Sequence, residues 1–309
     1  MDEDIAAAAG GALDIGFVGF GRAGAAVAVG LAGAGHHVVG VCVRSDAAAA
    51  RVRRSLAPGT PLMGAAELAA RVDVLVLAVS DDAIAPVAVA LAAATDGPRA
   101  GSVVAHLSGR HGLTPLAPVA ARGALRAAIH PIMSLAGLDP AGDAVHLRSA
   151  TFGVTGDPAA VPVARRLVTD LGGRMVEVAD EARTVYHAAM VLGANYLAAL
   201  VGVSADLLAA AGVSDAGAAL APLLRVSLEN AIRDGDAATT GPVRRGDAGT
   251  VAAHLAALRS ADPAAVPVYL ALARLATGRL AASGLLSARA AASLRASLDE
   301  VDGVDVLER

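Results

Sequence analysis

Lysine is missing from the chain altogether: all 25 basic residues are arginine. No chemistry performed here can use a lysine as acid, base or Schiff-base amine. Cysteine occurs once, at Cys42, which excludes an internal disulfide and any cysteine-based metal cluster. The histidines show no HxxxH or HxH spacing, and the adjacent His36 and His37 diverge on a strand, so no metal site is expected. Positive charge is not in excess either. A net charge of −4 and a pI near 6.0 give no electrostatic case for nucleic acid or an anionic membrane. Long uninterrupted apolar runs are scarce, although 55% of the residues are hydrophobic and the mean hydropathy is +0.58. Alanine inflates both values, and the stretches over 72–79 and 84–94 are too short or too interrupted to cross a bilayer. Only the segment over 185–211 has the length, and it carries His187, Asn195 and Asp206, so it reads as a buried protein helix. The start, MDEDIAAAAGGA, reads as a loose acidic tail without the charged-then-apolar layout of a signal peptide. A cytoplasmic protein that binds no membrane is the expectation.

What the chain has is a glycine loop in a telling setting. The apolar run Ile15, Phe17, Val18 reads as a buried strand. It leads into Gly19-Phe20-Gly21-Arg22-Ala23-Gly24 and then into a helical stretch over 25–31. In G-x-G-x-x-G the first glycine permits the tight turn, the second lets backbone approach a pyrophosphate, and the third lets helix pack on strand. Unpaired N–H groups and the positive end of the helix dipole then favour phosphate. The next strand, 37–43, ends at Arg44-Ser45-Asp46. A residue about 20 positions beyond the glycines meets the adenine ribose, where an acid selects NAD and an arginine accommodates the 2′-phosphate of NADP. Arg44, with a further hydrogen bond from Ser45, favours NADP(H); the competing reading has Asp46 on the ribose of NAD.

Further strands are expected over 72–79, 102–107, 125–129, 150–155 and 174–178, alternating with helical or loop segments. Ser80 and Asp81, after the clearest of them, either neighbour the nicotinamide ribose or cap a helix over 83–94. The fold class is therefore α/β, a doubly wound Rossmann domain over 13–179, possessing at most a mixed extension of the sheet. An all-helical domain over 180–309 follows, for substrate and dimerisation. Its first helix, 181–211, spans ~45 Å at the standard rise, more than a small helical domain needs, so a homodimer through it is expected.

The segments GFVGFGRAG, VLVLAVSDDAI, HLSG at 106–109, HPIMS at 130–134, YHAAMVLGANYLAAL at 186–200 and TGPVRRGDAGTVAAHL at 240–255 carry a resemblance. The chain resembles Rossmann-like proteins with an all-helical C-terminal domain of unknown function. These are distantly similar to pyrroline-5-carboxylate reductase, ketopantoate reductase and 6-phosphogluconate dehydrogenase, whose C-terminal domain the helical half resembles. The resemblance implies an NAD(P)-dependent oxidoreductase and a ketopantoate-like small substrate. It departs at one point. β-Hydroxyacid dehydrogenases place a catalytic lysine one turn before an asparagine on the long helix; here Asn195 is present, but position 191 is valine.

A carbonyl or imine reductase needs a hydride donor, a proton donor and groups that orient the substrate. Without lysine, the candidates are His130 and Ser108 at strand ends and His187 and Asn195 on the long helix. At ~100° per residue, His187 and Asn195 lie ~80° apart on one broad face. Each has a plainer reading: a turn at His130-Pro131, a loop start at Ser108, a satisfied core histidine at His187, a structural hydrogen bond at Asn195. His187 is the favoured proton donor. In 240–247, Arg245 or Arg244, with Thr240, either clamps a substrate carboxylate or belongs to a loop shaped by Pro242 and Gly246, where Asp247 caps the next helix. A non-catalytic NADP(H)-binding redox sensor is the competing function.

Overall fold

The computed structural model describes residues 11–307, with side chains described through residue 300. The acidic stretch over 1–10, read above as a loose tail, lies outside the described residues. The chain divides into two compact units, Met1–Asn195 and Tyr196–Arg309.

The first unit is a seven-stranded sheet: β1 (Asp14–Val18), β2 (His37–Cys42), β3 (Val74–Leu77), β4 (Val103–His106), β5 (Leu125–Ile132), β6 (Thr151–Gly156) and β7 (Arg174–Glu177). The spatial order is β2-β1-β3-β4-β5-β6-β7, parallel throughout except where β6 pairs antiparallel with β5. The mixed extension left open by the sequence is thus β6 and β7. Helices α1 (Arg22–Gly33), α2 (Asp46–Ser55), α3 (Ala65–Ala69), α4 (Asp81–Ala93), α5 (Ala117–Ala120), α6 (Pro140–Leu147) and α7 (Val161–Asp170) connect the strands.

Both faces of the central strands are covered, so β3 is apolar at every position rather than at alternate ones. In β3, Val74 and Val76 join the core that includes Phe17, Leu31 and Leu167. Their neighbours Leu75 and Leu77 join the opposite core with Leu68, Ile84 and Leu91. This alternation follows from the pleat.

The strand over 125–129 runs on to Ile132, so His130 and Pro131 lie within β5, facing Gly153 and Phe152 of β6. Pro131 has no N–H to give the ladder, which made a strand end at His130 the natural sequence reading.

The long helix is also different in detail. A 3₁₀ turn (Asp180–Ala182) leads into α8 (Arg183–Met190), then a π-helical turn (Val191–Asn195), then α9 (Tyr196–Ala210). Secondary structure changes character near residue 180, whereas the two compact units divide at 195/196, where the π turn ends. The expectation of a buried helix does not hold within this chain: Val185, Leu192, Tyr196 and Leu197 are exposed. By length and composition, Asp180–Ala210 is long and apolar enough to cross a membrane, but Arg183 in its first turns is buried against the sheet.

In the second unit, α10 (Ala216–Asp234), α11 (Gly241–Arg245), α12 (Ala248–Ala261), α13 (Ala265–Ala282) and α14 (Ala288–Leu307) follow α9. Leu255, Leu270, Leu280 and Leu294 are at the centre of its core. The segment over 241–247, read as a loop, contains the one-turn helix α11, with Pro242 in its first turn and Gly246 as its left-handed cap.

Candidate functional site

β1 and β3 are neighbours although β2 lies between them in sequence, so the strand order reverses beside β1. Open α/β sheets bind ligands at the carboxyl ends of the strands at such a point. The glycine loop sits there. Gly19 has φ +88°, and a Cβ on it would lie 2.5 Å from Ala78 O at the end of β3. Only glycine satisfies both the left-handed backbone and the contact. A Cβ on Gly24 would meet that of Ala78 at 2.5 Å, so α1 packs directly on the strand. Gly21 is the N-cap of α1 and offers no side-chain bond, which leaves the first amides of the helix to a ligand. Arg51 of α2 reaches back to Phe20 O at 3.4 Å and braces the loop. Arg22 and Ala23 complete the loop at the start of α1; Arg22 is exposed, with its side-chain stem packed against Gly137.

A cavity of about 1020 Å³ opens beside this turn, and Gly19, Phe20, Arg44, Ser45 and Ser80 are among its lining residues. The Ser45 Oγ accepts from Ala48 N at 3.2 Å as the N-cap of α2, which leaves its O–H to donate elsewhere. Arg44 is exposed at the rim and makes no ion pair with any described residue. Ser80 caps α4 by position but without a side-chain bond. Asp81 acts on the other side, where its charge faces His106 and His130. A glycine turn, free helix amides, and an arginine and a serine at the rim fit a nicotinamide dinucleotide.

A second group of side chains gathers at the same edge, beyond β4 and within β5. His106, the last residue of β4, is held by two backbone bonds: its Nε2–H donates to Gly112 O at 2.8 Å and its Nδ1 accepts from Ser108 N at 3.2 Å. Burial pushes its pKa down to about 4. Ser108 is buried, and its Oγ accepts from His111 N at 3.1 Å, so the hydroxyl shapes the loop after β4. His130 lies 2.8 Å by Nδ1 from the Tyr186 hydroxyl, and its ring is edge-on to both Tyr186 and His187, with centroids 5.6 and 6.0 Å away. Burial first, then the Arg183 charge and His187, bring the His130 pKa down to about 4. Between the two imidazoles runs the backbone of Gly109. A Cβ there would lie 2.5 Å from His187 Cδ2 and 2.9 Å from His130 Nε2.

Three of the four candidate catalytic residues, Ser108, His130 and His187, are therefore brought together. Asn195 is not. It is exposed at the end of the π turn, and its side chain makes no hydrogen bond with any described residue. Uniform steps of ~100° do not describe a helix that carries a π turn, so the shared face inferred for Asn195 does not follow. Two members of the cluster were not singled out from sequence, Arg183 and Tyr186. Their spacing of three along one helix was the available signal.

In the helical unit, Arg245 is exposed in α11, and its charge faces Asp247. Asp247 caps α12 through Thr250 N at 3.0 Å, as its plainer reading had it. Arg244 bonds Leu285 O. Thr240 is the N-cap of α11 and makes no side-chain cap bond.

The fold and its glycine turn define a Rossmann-like protein, and a Rossmann-like domain is recognised over residues 2–131. More particularly, residues 150–276 match the domain of unknown function DUF2520, so the chain is a Rossmann-like protein that carries a DUF2520 domain. No curated protein matches the chain. Among solved structures it is similar to a candidate NADP oxidoreductase from Bacteroides fragilis, with 19% identity over 86% of this chain and 98% of the other, at a TM-score of 0.72. A reductive aminase from Aspergillus terreus, in complex with NADPH and ethyl levulinate, is 21% identical over 92% and 99%, at a TM-score of 0.62. The 1-pyrroline-5-carboxylate reductase of Streptococcus pyogenes is 15% identical over 94% and 99%, at a TM-score of 0.55. At these identities the likeness is one of fold.

Proposed function

We propose that the protein is an NADP(H)-dependent oxidoreductase that reduces a small carbonyl or imine acid, with ketopantoate-like compounds as the first class to try. The observation that carries this reading is the coincidence, at one sheet edge, of the glycine turn and its cavity with the His130–His187–Gly109 cluster. Similar folds named as an NADP oxidoreductase and as a reductive aminase bound to NADPH support the same class of chemistry. When bound, the nicotinamide would supply the hydride.

The chain's own residues do the rest. Gly19, Phe20, Gly21, Arg22, Ala23 and Gly24 hold the pyrophosphate, Arg44 and Ser45 the ribose phosphate, and Ser80 borders the crevice, with Asp81 turned toward His106 and His130. His187 gives its proton to the nascent oxygen or nitrogen. It is half-buried and so can be recharged from solvent, whereas Nδ1 of His130 is engaged by Tyr186. Ser108 fixes the loop after β4. The test is NADPH oxidation against a panel of 2-keto acids and cyclic imines. Turnover on at least one is expected, and tight NADPH binding without turnover on any would favour the redox sensor instead.

We further propose a homodimer through the helix over 181–211, because its exposed apolar residues form a face of the kind that marks interfaces. Light scattering at micromolar concentration should report at least a dimer; a stable monomer would refute this.

A further inference from the structure

Arg183 is 1% exposed, yet no carboxylate among the described residues forms an ion pair with it. Its guanidinium donates only to neutral acceptors: Ser108 O, Gly153 O at 3.2 Å and Thr155 Oγ1 at 3.3 Å. Its Nε is buried without a partner. Asp180 favours the charge from a distance but forms no ion pair with it, and a neutral donor of similar shape could bridge the same carbonyls at a smaller desolvation cost. The charge therefore calls for an explanation beyond packing.

What the guanidinium touches supplies one. Ser108 starts the loop that carries Gly109 between the two imidazoles. Gly153 is the register partner of His130, and its missing side chain leaves the space the Tyr186 hydroxyl fills: a Cβ there would lie 2.3 Å from Tyr186 Oη. Arg183 also lies 5.5 Å from the Tyr186 ring centroid. One side chain thus ties the loop after β4, strand β6 and helix α8 around the Tyr186–His130 pair.

We propose that Arg183 is a positioning residue for the reaction: tied to the loop after β4 and to β6, it holds the Tyr186 hydroxyl on Nδ1 of His130, and its charge works with burial against protonation of that ring. The inference rests on the reductase reading for its purpose, but not for its physics. Burial is the first cause that disfavours the charged form of His130, and the Arg183 cation adds to it. The groups that face His130 are Arg183, Tyr186 and His187 on the helix, His106 at the end of β4, and Asp81 at the start of α4. Asp81 alone among them favours the charged ring. With His130 neutral in the Nε2–H form, Tyr186 would donate to Nδ1, and their 2.8 Å separation suits that bond.

The test is an NMR titration of the His130 imidazole in the full chain, without substrate or cofactor. In the wild type the ring should titrate near about 4. Arg183→Gln keeps hydrogen-bond donors but removes the charge, and should raise the midpoint by ~1 pH unit or more. Arg183→Lys keeps the charge and should titrate close to wild type. Equal midpoints for wild type and Arg183→Gln, or a rise in Arg183→Lys as large as that in Arg183→Gln, would overturn the proposal. Arg183→Met replaces the glutamine variant if the latter does not fold. If neither neutral variant folds while Arg183→Lys does, the charge serves the fold, and the positioning role is overturned. A wild type that reduces no carbonyl or imine would sink the functional reading and leave this titration unchanged.

Discussion

Replacing His187 with Gln should lower turnover by ~10²–10⁴, the usual worth of a positioned general acid, while NADPH affinity stays unchanged. The substitution keeps a polar side chain of similar reach but removes the transferable proton. Its surroundings explain why His187 is preferred to its neighbours. His130 is held near about 4 by burial and the Arg183 charge, so it carries no excess proton at neutral pH, and its Nδ1 is already engaged by Tyr186. His106 is fixed by Gly112 O and Ser108 N and is equally deprotonated. Ser108 is buried, with its Oγ accepting from His111 N in the loop after β4. His187 is half-buried where His106 and Ser108 are buried, and, unlike His130, its ring nitrogens bond no described residue. Full activity in His187→Gln, measured by steady-state kinetics across pH, would move the role to Tyr186 or His130.

The parts of this site that are local in sequence could be read there. Gly19 to Gly24 reveal themselves because turn, phosphate approach and helix packing are all decided within one βα unit. The same is true of Arg44, which only needs the second strand to end where it does. Asp247 as a cap is likewise a matter of three residues. The helix Gly241–Arg245 was within reach as well, since proline near the start and glycine past the end are its usual signs.

Other features depend on distant partners. The antiparallel seat of β6 decides that β5 continues through Pro131 and that Gly153 faces His130. Nothing in the hydrophobic pattern of either strand specifies the direction of its neighbour. Arg183 reads as an ordinary helix-surface cation until Ser108 O, 75 residues away, is brought to it. The π turn over Val191–Asn195 has no compositional mark, so the face shared by His187 and Asn195 was drawn on a regular helix that does not exist there.

The second large effect is expected at Arg44. Its guanidinium stands at the rim of the cavity beside Ser45, where the ribose of a dinucleotide seated on Gly19–Gly24 would lie. A charge-assisted bond to a phosphate contributes ~1.5–3 kcal/mol, which is roughly a 10- to 150-fold change in affinity. Only NADPH carries the phosphate, so NADH should barely register the loss. Asp46 in the first turn of α2 opposes a phosphate there, which makes the arginine the deciding charge. Calorimetric titration of wild type and Arg44→Ala with both cofactors tests the crevice most directly. The account predicts that wild type prefers NADPH and that the variant loses this preference through weaker NADPH binding alone. A wild type that prefers NADH, binds neither cofactor, or loses both equally on substitution would contradict it.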